Sequence, residues 1–168
     1  DTSSSFLFAV DRFSGIGELT DGVFTLQQDS DAPAGFLKSV KATVTTADAS
    51  IGASQTYNFR TQLEGQSIGD LNWGTANAKT VTLSFYVRSS VTGTFGGAIR
   101  NSALNRSYPY TYTINAANTW ERKSITIPGD TSGTWLTTNG TGIRIMWSLG
   151  SGSNFLGTAG AWAGANYI

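Results

Sequence analysis

The chain has 168 residues, of which 39% are hydrophobic and 12% aromatic, enough for one packed domain without a disulfide or metal staple. Lys plus Arg equals Asp plus Glu at 11 each, and only 13% of residues are charged, so no net field steers the chain toward nucleic acid. His and Cys are absent, which excludes Ser-His-Asp triads, imidazole and thiolate metal sites, cysteine nucleophiles and disulfides. In place of ions, 42 Ser and Thr and 20 Gly supply a surface of hydroxyls and backbone amides.

Alternation with a period of two dominates the chain, as expected for half-buried strands. Val40, Ala42 and Val44 face opposite Lys41, Thr43 and Thr45, after a loop at Asp31-Ala32-Pro33-Ala34-Gly35. Tyr57, Phe59, Thr61 and Leu63 alternate with Asn58, Arg60, Gln62 and Glu64. The stretch Ile68 to Ala78 has no alternation and predicts a short helical turn, with Leu71 and Trp73 plugging one end of the core. From Thr80 to Ser89, Val81, Leu83, Phe85 and Val87 form an apolar side opposite Thr82, Ser84, Tyr86 and Arg88. Val91-Thr92-Gly93-Thr94 links that segment to the next. A strand starting near Glu121 carries Ile125 and Ile127 and stops at Pro128-Gly129-Asp130. Asn139-Gly140 is a hairpin signal, because both residues tolerate positive φ. It precedes the stripe Ile143, Ile145, Trp147 and Leu149, opposite Arg144, Met146 and Ser148. Eight to ten short strands, each with one wet face, predict an all-β antiparallel β-sandwich in a single domain over 1–168. No apolar run approaches the 18 residues of a membrane span.

Catalysis is not the expectation. Paired carboxylates would have to replace histidine, and most of the Asp sit beside Gly, Pro or Ser, where they cap turns. No two acids stand out as a pair on neighbouring strands.

The run from Asp70 to Ser90 (Asp70-Leu71-Asn72-Trp73-Gly74, then Lys79-Thr80-Val81-Thr82-Leu83-Ser84-Phe85-Tyr86-Val87-Arg88) resembles a β-sandwich family of bacteriophage virion proteins. Its members include tail-fibre and other appendage proteins of marine phages. The segments Ala9–Phe13, Asn118–Asp130 and Gly157–Trp162 fit the same resemblance in order. The family is similar to jelly-roll carbohydrate-binding modules of the galactose-binding-like type. The resemblance also implies an extra strand before Asp-Arg-Phe and another after Gly-Ala-Trp, so the expectation is a chain lacking flanking edge strands. It further implies a homo-oligomer, a trimer by analogy with appendage proteins, exposed on the virion surface among other virion subunits.

Candidate sites follow from chemistry that suits sugars, which offer an apolar CH face and hydroxyl edges. If the segments around Asn58, Thr82 and Arg144 share a sheet, one outer face collects Asn58, Arg60, Tyr86, Arg88 and Arg144, a set suited to acidic sugars. An ordinary solvated face is the alternative. Trp135 and Trp162 lie in Gly/Thr-rich loops, where an exposed indole would stack on a pyranose. Trp147 reads as core, and Trp73 and Trp120 as end plugs. Tyr108, Tyr110 and Tyr112 share one parity and read as a subunit interface or a core stripe ahead of a stacking platform. Asp29-x-Asp31 beside Asp48 or Asp130 is a weak calcium pattern, with turn capping as the default. The resulting expectation is a non-enzymatic phage appendage protein that attaches to bacterial surface polysaccharide, with no nucleic-acid or membrane partner. A purely structural decoration or cement protein and a carbohydrate-binding module of a bacterial glycoside hydrolase are the alternatives.

Overall fold

The computed structural model describes residues 7–10, 12–18 and 21–168; Asp11 of the Ala9–Phe13 segment lies outside them. Among the described residues there are ten strands: β1 (Leu7–Val10), β2 (Phe13–Glu18), β3 (Val23–Asp29), β4 (Ser39–Thr46), β5 (Thr56–Glu64), β6 (Val81–Val87), β7 (Gly93–Asn101), β8 (Ser107–Ile114), β9 (Glu121–Ile127) and β10 (Thr141–Ser151). The fold is an all-β antiparallel sandwich. One layer is a six-stranded sheet in the order β1-β2-β5-β10-β7-β8, and the other is built from the pairs β3-β4 and β6-β9.

The pleat decides what lies between the layers. Val81, Leu83, Ile125 and Ile127, on one parity of β6 and β9, pack on Ile99, Tyr108, Tyr110 and Ile143 of the large sheet. Phe85 sets its ring against Trp147 at 5.6 Å and against Tyr112 at 5.1 Å, both edge-on. At the far end β3 lies close over β2: a Cβ at Gly15 would sit 3.1 Å from the Phe24 ring. Burying these aromatic and β-branched side chains supplies the main driving force for the two layers to close.

The tyrosine stripe belongs to this core. Tyr108 and Tyr110 are buried and Tyr112 half-buried, so the interface and stacking expectations for this stripe give way to the core reading. Tyr110 lies across Gly97 of the neighbouring strand and donates its hydroxyl to the Met146 carbonyl at 2.7 Å, two strands away. Burial raises the pKa of Tyr110 and pushes that of Tyr112 up to about 12.

Two expectations about turns and faces change. The Asn139-Gly140 turn does not close a hairpin, because β9 pairs with β6 and β10 with β5 and β7, in different layers. Its Gly140 carbonyl instead accepts from Gly65 N–H at 2.9 Å, holding the 3₁₀ turn Gly65–Ser67. The stretch from Ile68 supplies a second such turn, Gly69–Leu71, and Trp73 is buried in the core as an end plug. The outer face of the large sheet is not wet either. Residues 152–168 cover it, tied to β8 by the Ser107–Ala163 bridge, by Ser107 Oγ to the Ala165 carbonyl at 2.8 Å and by Gly160 N–H to the Pro109 carbonyl at 2.9 Å, and closed on themselves by Ile168 N–H to the Phe155 carbonyl at 2.9 Å. Ser14, Asn58, Arg60, Ala98, Arg100 and Met146 are consequently buried on that side.

Candidate functional site

The predicted face divides in two. β6 belongs to a different layer from β5 and β10, so Tyr86 and Arg88 do not join Asn58, Arg60 and Arg144. Tyr86 points away from the core on the outer side of the β6-β9 pair, whereas the others lie on the far side of the six-stranded sheet. The sandwich separates them.

On the β6-β9 side the register places Thr82, Ser84 and Tyr86 opposite Thr126, Ser124 and Arg122, a surface of hydroxyls ending in an aromatic ring and a guanidinium. Tyr86 is 42% exposed and meets the 59% exposed Phe36 edge-on, with ring centroids 5.7 Å apart. Phe36 reaches this place because Gly35 (φ +89) completes a tight turn in which Phe36 N–H donates to the Pro33 carbonyl at 3.0 Å. Beside the pair, Asp31 accepts from Arg88 and, at 3.0 Å, from Trp120 Nε1. Arg88 Nε also donates to the Asn118 carbonyl at 2.9 Å, which fixes the guanidinium along the surface. The cluster therefore presents aromatic faces, an ordered carboxylate and two exposed arginines, Arg88 and Arg122. Phe36, Trp120 and Arg122 escaped the sequence reading. Phe36 sits in a loop without periodicity, and Trp120 reads as an end plug until Asp31 is seen to bond it.

Among the described residues the acids do not converge. Asp29 pairs with Lys41 at 3.0 Å, which lowers its pKa, and accepts the Asp31 N–H at 2.9 Å as a turn cap. Asp31 turns the other way, to Arg88 and Trp120. Asp48 accepts from Tyr57 hydroxyl at 2.7 Å and Ser50 N–H at 2.8 Å. Among the described residues no group of three metal-ligating side chains comes together, so the Asp29 and Asp31 calcium pattern resolves into turn capping and ion pairing.

The loop tryptophans also change place. Trp135 is buried, and Trp73, Trp135 and Trp162 form a mutually edge-on triangle with centroids 4.7 to 5.4 Å apart. Every indole N–H is taken: Trp73 by the Lys79 carbonyl, Trp135 by Asp130, Trp162 by the Pro128 carbonyl at 2.7 Å. Trp162 lies half-buried against Tyr108 at 5.2 Å. These rings pin the loops to the core; Trp135 and Trp73 are closed to a sugar, while Trp162 stays half-exposed. Asp130 anchors the corner, accepting two hydrogen bonds from Arg106 at 2.8 and 2.6 Å. That bond raises the Arg106 pKa.

No protein-family model matches the chain, and no curated protein matches it. Among solved structures the fold is similar to that of the enzymatically active domain of tailspike protein 4 from bacteriophage CBA120. The TM-score is 0.53 with 15% identity over 97% of this chain, which spans 20% of that chain's length. At this identity the likeness bears on the fold alone.

Proposed function

We propose that the chain is a non-enzymatic part of a bacteriophage tail or other virion appendage, and that it attaches to bacterial surface glycan through the Tyr86 face. The observation that carries the proposal is the exposed Phe36–Tyr86 pair set beside the Asp31–Arg88 pair and Arg122. An aromatic face accepts the CH side of a pyranose, and an ordered carboxylate and guanidinium beside it hydrogen-bond the ring hydroxyls. The fold likeness to a tailspike domain supports a place on a phage particle. A flat site of this size binds weakly, and several copies on one particle, as in a homo-oligomeric appendage, multiply its avidity. Among the described acids, Asp29, Asp31, Asp130 and Glu121 are ion-paired, and Asp48 is held by Tyr57.

A glycan array tests the reading, comparing the wild-type chain with a Phe36→Ala, Tyr86→Ala double variant. Both residues are exposed, so the variant is expected to keep the wild-type circular dichroism and to lose stability by no more than about 0.5 kcal/mol per site. Selective binding that the variant loses supports attachment through this face. Equal binding by both proteins, or none by either, overturns it.

A further inference from the structure

The Tyr86 face carries a charge that no other described residue answers. On β6 and β9 the outward parity is exposed throughout: Thr82, Ser84 and Tyr86 on one strand, Arg122, Ser124 and Thr126 on the other. Register sets Tyr86 directly across from Arg122, Ser84 from Ser124 and Thr82 from Thr126, so the six side chains form one strip, two residues wide. The neighbouring carboxylates are spent elsewhere. Glu121 pairs with Lys123 at 2.6 Å and accepts the Asn115 and Ala116 N–H groups, and Asp31 is held by Arg88 and Trp120. Among the described residues none pairs with Arg122 or hydrogen-bonds its guanidinium. Arg88, by contrast, is committed to Asp31 and the Asn118 carbonyl.

The strip has a direction. At one end the Tyr86 and Phe36 rings stand beside Arg122, separated from it by one strand spacing of about 4.8 Å, so an acid group carried by a sugar on the rings comes within reach of the guanidinium. A carboxylate there is recognised by charge-assisted hydrogen bonds, which neutral hydroxyls do not replace. From the rings the strip runs four residues along each strand to Thr82 and Thr126, about 13 Å at ~3.3 Å per residue. Over that length it bears only the hydroxyls of Ser84, Ser124, Thr82 and Thr126, and among the described residues none of them bonds another protein group. Short hydroxyls on a flat pair of strands suit a chain laid across the surface more than a single sugar held in a pocket.

We propose that the glycan taken by this face is a linear acidic polysaccharide. Its acid-bearing sugar sits on Tyr86 and Phe36 with the carboxylate at Arg122, and its neighbours lie along β6-β9 toward Thr82 and Thr126. This rests on the attachment reading and adds to it the ligand's chemical class and the path of its chain.

A glycan array tests it, with oligogalacturonates of two and four sugars each placed beside the methyl ester, which removes the charge and keeps the skeleton, and with other uronate-containing and neutral oligosaccharides alongside. Binding is read over a protein dilution series. The wild-type chain is expected to prefer acids to their esters or neutral counterparts by about two- to five-fold, the reach of an exposed charge pair. Arg122→Gln is expected to abolish that preference by weakening the acids alone, and Phe36→Ala, Tyr86→Ala to lose acids and esters together. Arg122 is exposed, so its variant is expected to keep the wild-type circular dichroism. Thr82→Val, Thr126→Val removes the far hydroxyls and keeps the branched side chains; it is expected to weaken four-sugar ligands and leave two-sugar ligands unchanged. Acids and esters binding alike, with both lost in the aromatic variant, would leave the attachment reading standing and overturn the acidic class. An acid preference that survives Arg122→Gln also overturns it. The chain path is overturned if the threonine variant affects both lengths equally or neither. No binding by the wild-type chain sinks this proposal and the attachment reading together.

Discussion

Replacing Gly97 by alanine tests how the large sheet is packed. A Cβ there would stand 2.2 Å from the Met146 carbonyl oxygen and 2.6 Å from both Cζ and the hydroxyl of Tyr110. The carbonyl is backbone in the paired strand and cannot rotate away. The ring can move, but only by giving up its hydrogen bond to that same carbonyl. Overpacking in a tight core costs about 1–3 kcal/mol, and a buried hydroxyl left without its partner costs about 1–3 kcal/mol more. The sum, about 2–6 kcal/mol, converts to a fall in Tm of about 4–24 °C at the ~2–4 °C per kcal/mol of a domain this size. Differential scanning calorimetry measures it, with Tyr110→Phe as the control that loses the hydroxyl but keeps the glycine and falls by less. A Gly97→Ala protein melting within about 2 °C of wild type would refute the reasoning, since no compatible packing of Tyr110 over that strand leaves the alanine unfelt.

Two further outcomes are expected. Arg106→Ala strands the buried Asp130 carboxylate with only Trp135 Nε1 and Ser132 N–H for company; urea denaturation should show a loss of about 3–5 kcal/mol, and a loss under about 1 kcal/mol would mean the pair is not structural. Glu121 is held down to about 2 by Lys123 first and then by the Ala116 and Asn115 donors, against an ordinary value of 4.5. Because its folded pKa is depressed, its contribution is complete above 4.5 and is lost as the pH falls toward about 2. The protection factors of the Asn115 and Ala116 amides, exchange taken relative to the intrinsic rate at each pH, should fall over that window in the wild-type protein and stay flat in Glu121→Gln. A Glu121 side-chain titration centred near the ordinary value would rule the explanation out.

The alternation that the chain displays is a local property, and it settled what local properties can settle. Val81–Val87 and Thr56–Glu64 are strands with defined inner faces whichever neighbours they meet, because the pleat sends successive side chains to opposite sides. The absence of His and Cys likewise bounded the chemistry before any fold was known. Which strands become neighbours is a different question, decided by how β6-β9 and β3-β4 close over the large sheet. That closure moved Tyr86 to one side of the molecule and Asn58, Arg60 and Arg144 to the other, and it turned the tyrosine stripe inward. A second covering decided the rest. Residues 152–168 have no periodicity to read, yet by covering the outer face they bury Asn58, Arg60 and Arg100, which an ordinary polar surface would leave exposed. The loop tryptophans are governed by the same limit: whether an indole is an open platform or a buried wedge depends on Asp130, Pro128 and Lys79, which come to it from other parts of the chain. Composition and period determined the strands and excluded the histidine and thiol chemistries, because they act within a few residues; only the tertiary structure decided the sites, because each is assembled from residues that the chain keeps far apart.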